Sequence, residues 1–307
     1  MGLKEIIWTR GKTQIVLEPD RKELVPLFRQ PPLNRIPVGK VPSALAFDGT
    51  NMWVANRYSN TVTGINVNSN QVLNPIRVKD NPLALAFDGT YLWVACYVGQ
   101  CVCKIDVKLN RLIDTITVPS FLPYSLAFDG SYMWFGTSGS AIKIGKTFLY
   151  LVGVGTLFSI LAFDGVYIWA ASSGSDTVSK IDIAKHLVVA TVKVGRYPTA
   201  LVFDGRFLWV SNYGSRSLGK IDVALDKVVA TVDIGNNPTA LAFDGTYLWT
   251  VIWQNNSVVK IDSETNTIVG SLITGETPHA LAFDGVYMWV ANSGNDSVYK
   301  IPAYDFK

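Results

Sequence analysis

Tyr197-Pro198-Thr199-Ala200-Leu201-Val202-Phe203-Asp204-Gly205, continuing through Phe207-Leu208-Trp209-Val210-Ser211-Asn212, decides the fold of this chain, because the pattern returns along its whole length. The Asp of Phe-Asp-Gly falls at Asp48, Asp88, Asp129, Asp164, Asp204, Asp244 and Asp284, with spacings of 40, 41, 35, 40, 40 and 40 residues. A Trp follows each one, at Trp53, Trp93, Trp134, Trp169, Trp209, Trp249 and Trp289. The quoted repeat goes on to Ser217-Leu218-Gly219-Lys220-Ile221-Asp222 and closes with Val228-Val229-Ala230-Thr231-Val232-Asp233-Ile234-Gly235.

Each of these four pieces is short, rich in Val, Ile, Leu and Trp, and bounded by Gly, Asn, Asp or Pro, which is strand chemistry. Asp-Gly after the first strand fits a tight turn, since Gly takes positive φ at little cost. No apolar period of 3.6 residues competes with this reading. Four strands recurring every ~40–45 residues is the signature of a β-propeller. The fold predicted is all-β: a seven-bladed propeller with four antiparallel strands per blade. The last repeat stops at its third strand, Ser297-Val298-Tyr299-Lys300-Ile301, while Leu33-Asn34-Arg35-Ile36-Pro37-Val38-Gly39 carries the fourth-strand pattern. This early segment is therefore expected to complete the last blade and close the ring, which removes exposed sheet edges. Residues 31–307 form the propeller. Residues 1–30 form an arm or hairpin around the Glu18-Pro19-Asp20 turn signal, either packed on the ring or reaching a partner.

The chain has 307 residues, 49% hydrophobic and 17% charged, with a net charge of +3. Its Lys and Arg are spread among the repeats and do not gather on one face as nucleic-acid binding requires. No run approaches the ~20 apolar residues of a membrane helix, and the first ten residues lack the features of a secretory signal. The expectation is a cytoplasmic protein with neither nucleic acid nor membrane as partner.

The repeats Leu-Ala-Phe-Asp-Gly-x-Tyr-Leu-Trp-Val-Ala-Asn and Ser-Val-x-Lys-Ile-Asp resemble the YVTN-type and NHL-like propeller repeats over residues 31–301. Among propellers of this kind with known chemistry, the streptogramin lyases are seven-bladed. That resemblance implies a catalytic histidine and a glutamate-held magnesium ion on one face.

Positions where the repeats disagree carry the functional information, because scaffold needs are the same in every blade. The loop into the innermost strand and the loop joining strands two and three should share a face. Before the loop Pro stand Lys40, Phe121, Arg196 and Glu276; after it come Tyr124 and His279; beyond the second strand come Arg57, Tyr97, Tyr213 and Trp253. A concave apolar mouth with a few polar groups is the default ligand site. The first reading is a non-catalytic scaffold binding a protein, peptide or small ligand through Lys40, Arg57, Tyr97, Phe121, Tyr124, Arg196, Tyr213 and Trp253. The alternative is a lyase or hydrolase in which His279 acts as base beside Glu276. No cofactor is expected, and a divalent metal enters only with the lyase alternative. That alternative departs from the lyases in its carboxylates: the remaining Glu of the repeats, Glu264, belongs to the opposite face.

Cys96, Cys101 and Cys103 occupy one short stretch. Cys101 and Cys103 share a strand face. Buried reduced thiols are expected. A disulfide across the hairpin is the other option, and a metal would need a fourth ligand that the local sequence does not supply. The Asp residues of Phe-Asp-Gly read as turn formers. The Lys-Ile-Asp lysines, Lys104, Lys180, Lys220 and Lys260, read as solvated strand ends.

Overall fold

The computed structural model describes residues 34–145 and 149–304, together with the backbone of two short paired strands, Ile7–Thr9 and Lys12–Gln14. The remainder of the expected N-terminal arm, with its Glu-Pro-Asp turn, lies outside the described residues. From residue 34 onward the described chain is antiparallel β, apart from single 3-10 turns at Tyr213–Ser215 and Trp253–Asn255. No described helix is long and apolar enough to cross a membrane.

The quoted repeat forms one four-stranded sheet from Pro198–Phe203, Phe207–Asn212, Ser217–Asp222 and Lys227–Asp233. Ring closure follows the expected route. Asn34–Pro37 pairs with Ser297–Pro302, with Pro37 opposite Ser297 and Asn34 opposite Lys300. Pro37 is tolerated because it lies on an outer edge strand.

The expectation of seven separate four-stranded sheets is corrected. The repeats that begin at Asp129 and Asp164 share one six-stranded sheet, so the ring from residue 34 onward has six sheets. Leu149–Phe163 is a single strand of 15 residues. Its first part pairs with Met133–Ile144, from Leu149 opposite Ile144 to Gly153 opposite Ser140; its last part pairs with Tyr167–Ser172. The 35-residue spacing is the cause: it leaves no loop between the outer strand of one repeat and the inner strand of the next.

The Asp of each turn does more than permit the turn. Its Oδ1 accepts the backbone N–H three residues on, at 2.6 Å in all seven repeats. Its Oδ2 accepts the indole Nε1–H of the Trp five residues on, at 2.6–2.8 Å. The indole then fills the wedge between neighbouring sheets: Trp53 packs against Leu92, Val94 and Ile105 of the next one. A buried indole N–H needs an acceptor, and the turn supplies one in every repeat.

The lysines of Lys-Ile-Asp are also corrected. Lys180, Lys220 and Lys260 are not solvated: they are 8%, 5% and 2% exposed. Each lies over the aromatic residue three positions after its own Asp, with Nζ 4.0–4.5 Å from the ring centre of Tyr167, Phe207 and Tyr247. Each then crosses to the next repeat: Lys180 donates to Val223 O and Asp226, Lys220 to Ser263 O and Asn266, and Lys260 to Ala303 O. Lys300 continues the series across the ring seam to Val67 O and Asn70. Ring faces and carbonyls offset the loss of water around the ammonium. Burial lowers the pKa of Lys220, Lys260 and Lys300. Lys104 lies over Tyr91 at 3.9 Å in the same manner and is half-buried.

Candidate functional site at the axial mouth

The two loops read from the sequence do share a face, and hydrogen bonds hold them together. Tyr213 N donates to Tyr197 O at 3.0 Å and Gly214 N to Arg196 O at 2.9 Å. The same pair of bonds joins Arg57 and Tyr58 to Val41 and Lys40, and Ser293 and Gly294 to Thr277 and Glu276. Inside this rim the inner strands enclose an axial cavity of about 600 Å³. Its wall below the rim is Ala, Leu and Ile from the inner strands, including Leu45, Leu85, Leu126, Ile160, Leu201, Leu241 and Leu281.

Of the residues singled out in the sequence, Tyr124, Tyr213, Trp253 and His279 line this cavity together. Tyr97 meets Tyr124 edge-on with ring centres 6.5 Å apart, and Tyr124 stacks on Phe158 at 4.5 Å. Arg57 is half-buried at the rim, held by Nε–H donation to Asn81 Oδ1 at 3.0 Å. Its guanidinium carbon lies 5.6 Å from the centre of the Tyr58 ring, outside the cavity lining, and its charge is felt by Tyr124 and His279. Lys40 sits on the exposed rim, its backbone N–H bonded to Ser59. Arg196 lies in a side groove of about 490 Å³ bounded by Tyr197, Tyr213, Ser173 and Asp176, and shares its two tyrosines with the mouth. Phe121 is placed elsewhere: it packs edge-on against Phe135 at 6.3 Å, in the apolar cluster between repeats.

His279 is open to water from the channel while protein encircles it. This enclosure, and secondarily the charge of Arg57, holds its pKa below the usual imidazole range. The neutral imidazole therefore prevails at neutral pH. Glu276 is exposed, and no hydrogen bond or ion pair joins it to His279 among the described residues. Magnesium of the kind the lyase resemblance implies needs several hard oxygen ligands, carboxylates above all. Neither Asp nor Glu lines the mouth, so the residues present do not fit that ion and no step through it is derived.

Tyr197 lines both the mouth and the side groove, and the sequence reading passed over it. It stands directly before the loop Pro at φ 54°. Val41, Asn81 and Thr277 occupy the same position with φ of 54°, 63° and 52°. Tyr197 is the one aromatic in a slot that holds Val41, Asn81, Leu122, Leu157, Asn237 and Thr277 in the other repeats, and that was the signal available.

Sheets of four antiparallel strands set around an axial cavity define a β-propeller. No family model matches the chain and no curated protein matches it in sequence, so the YVTN- and NHL-type resemblance rests on the quoted residues alone. Solved structures match the fold. A chain of Kuenenia stuttgartiensis hydrazine synthase has a TM-score of 0.77 at 20% identity, over 86% of this chain and 96% of that one. Virginiamycin B lyase from Staphylococcus aureus has 0.75 at 17%, over 87% and 98%. A chain of the mitotic checkpoint complex has 0.79 at 17%, over 94% and 100%. These neighbours include enzymes and a member of a protein assembly, so the shared fold leaves the activity undetermined.

Proposed function

We propose that this protein is a non-catalytic binding propeller whose axial mouth takes a ligand with an aromatic or apolar body and an anionic or acceptor group. One observation carries the reading: an apolar cavity of about 600 Å³ opens between Tyr124, Tyr197, Tyr213 and Trp253, with His279 and Ser and Thr hydroxyls as its polar groups, no carboxylate in its lining, and the half-buried Arg57 on a neighbouring loop of the rim. That volume lies within the ~300–1,000 Å³ of small-ligand sites. Rigid aromatics around an apolar well bind flat rings at low entropic cost. A guanidinium beside a neutral imidazole offers donors to a carboxylate or sulfonate. The ligand is a small molecule or a side chain of a bound peptide. Catalysis through His279 and Glu276 has weaker support, because Glu276 neither touches His279 nor enters the cavity lining.

We count the fused sheet as two blades, which makes the ring seven-bladed. In support, Lys143 lies 5.9 Å from the centre of the Trp134 ring, nine residues away, so the chain doubles back near Gly139, whose φ is +74°. Inner-strand residues of all seven repeats also line the mouth.

The test is titration with anilinonaphthalene sulfonate, which joins an aromatic body to an anion. One probe per chain should bind and quench Trp253, which is 40% exposed, whereas Trp53, Trp134, Trp169, Trp209, Trp249 and Trp289 are buried. Arg57→Gln and Trp253→Ala should each weaken binding at least about fivefold, roughly 1 kcal/mol. Binding that both variants leave unchanged would remove the mouth as the site.

A further inference from the structure

All three cysteines of the chain lie in the repeat that begins at Asp88, and the fold brings them together. Cys101 stands directly opposite Cys96 across the hairpin, and Cys103 follows Cys101 on the same face. Cys103 Sγ lies 3.8 Å from Cys96 Sγ and 3.9 Å from Cys101 Sγ, and all three sulfurs fall within 4.8 Å of one another. They are 0–1% exposed and unbridged.

The other repeats show what the scaffold alone asks of these positions. The first repeat has Asn56, Thr61 and Thr63, with Asn56 Nδ2 donating to the two hydroxyls at 3.2 and 2.9 Å. The fourth has Ser172, Thr177 and Ser179; the fifth has Asn212 bonded to Ser217, then Gly219. None of the other repeats has a thiol here, whereas the second has three at once. A further residue changes with them. In the first repeat the slot facing Asn56 is Gly39, where a Cβ would fall 2.7 Å from the Asn56 side chain; in the second that slot is Lys79. The shorter Cys96 leaves room for the lysine, whose charge acts on Cys101 and whose backbone N–H faces Cys103.

We propose that Cys96, Cys101 and Cys103 form a closed three-thiolate site for a soft monovalent cation, copper(I). An ion with three metal–sulfur bonds of about 2.3 Å spaces its sulfurs about 4 Å apart, close to the 3.8 and 3.9 Å from Cys103 to its two partners, with the third pair within 4.8 Å. Thiolates select copper(I), zinc or iron–sulfur clusters among the common transition-metal centres. Zinc takes four ligands, yet among the described residues no His, Asp, Glu or fourth Cys joins the three sulfurs. Thr115 Oγ1, 3.8 Å from Cys103 Sγ, and Val94 O, 3.9 Å from Cys96 Sγ, are poor ligands for such an ion. The burial of the three thiols leaves no open position for water. Each thiol that ligates releases its proton, and Lys79 offsets part of the negative charge gathered there. The loop Tyr97–Gln100 above the site, with Val98 57% exposed, is the short route inward.

The full-length reduced chain should be titrated with copper(I) without oxygen, in competition with bathocuproine disulfonate. One ion per chain is expected, with thiolate-to-copper charge-transfer absorption and three sulfur neighbours by X-ray absorption. Cys103→Ser should lower the affinity at least about a hundredfold, beyond the 10–100-fold typical of losing an outer-shell partner. The triple variant Cys96→Ser, Cys101→Thr, Cys103→Ser adopts the fourth repeat's own residues, so it should fold with an unchanged circular dichroism spectrum and bind no copper. A wild-type chain that yields all its copper to the competitor would overturn the proposal, as would copper retained by the folded triple variant. Tight one-to-one zinc binding with no copper(I) uptake would overturn the choice of ion.

Discussion

Replacing Asp129 by Asn tests the claim that the Phe-Asp-Gly carboxylate is a structural acceptor for the wedge tryptophan. Asp129 accepts from Ser131 N at 2.8 Å, Tyr132 N at 2.6 Å and Trp134 Nε1 at 2.7 Å. It is 7% exposed and Trp134 is 0% exposed, so water is a poor substitute for either partner. An Asn of the same shape has one acceptor oxygen and one NH2 group, whereas the indole can only donate. The amide must therefore face either the indole N–H or the turn N–H groups with a donor of its own. A charge-assisted bond contributes ~1.5–3 kcal/mol, and an unpaired buried donor costs about 1–3 kcal/mol. Allowing for overlap between the two, Asp129→Asn should cost about 3 kcal/mol. With an m-value of about 3 kcal/mol/M, the urea midpoint falls by about 1 M. Unfolding followed by both tryptophan fluorescence and far-ultraviolet circular dichroism measures it. Asp88→Asn is the comparison, because Trp93 is only half-buried and its N–H regains water more readily. A midpoint within about 0.2 M of wild type for Asp129→Asn would refute the reasoning. So would an equal loss for Asp88→Asn.

The chain has two histidines, and each should titrate below the usual imidazole range: His279 from enclosure and Arg57, His186 from burial and Lys143. Arg57→Gln should raise the His279 midpoint in a nuclear magnetic resonance titration and leave His186 unmoved, while Lys143→Gln should do the converse. Because both folded-state values are depressed, the unfolded chain binds protons more readily, so stability falls as pH drops below about 6.5. A wild-type stability profile that runs parallel to that of the His186→Gln, His279→Gln double variant between pH 7 and 5 would contradict this. Gly136→Ala should be severely destabilising, since a Cβ there would sit 1.9 Å from Ser159 O in the strand shared by the fused repeats. Thermal melting compared with Gly153→Ala, where the added atom meets open space, separates this clash from glycine's general backbone effect.

The repeat and the ring closure were legible because both depend on bonds that every unit makes again: Asp to Trp within a turn, and strand against strand at the seam. The fused sheet was not, since a 35-residue spacing records missing residues without saying whether a loop shortens or two strands merge. The lysines were misread because charge at a strand end ordinarily means solvent. Only the stacked neighbours show Tyr167 beneath Lys180 and the next repeat's carbonyl beyond it. At the mouth, Tyr124, Tyr213, Trp253 and His279 emerged from asking where repeats differ. Phe121 did not belong with them, because beyond the outer strand Arg111–Thr117 the chain turns so that Phe121 N bonds back to Val118 O, and the ring packs against Phe135. The cysteine cluster needed strand register, which sequence spacing alone does not set: opposition of Cys96 and Cys101 brings the third sulfur within reach.

The lysine that passes from each of the last four repeats to the next has a mechanical meaning. Lys300 reaches Val67 and Asn70 although 233 and 230 residues separate them in sequence. At the same seam, Asn34–Pro37 stitches the outer edge of the last sheet. The ring is thus fastened at two places on the same radial cut, like a hoop riveted twice. An open stack of repeats can shed its terminal units one at a time. A hoop fastened in this way has no free terminal unit to shed: the last sheet comes away from the first only when the Asn34–Pro37 strand and the Lys300 contacts have both given way.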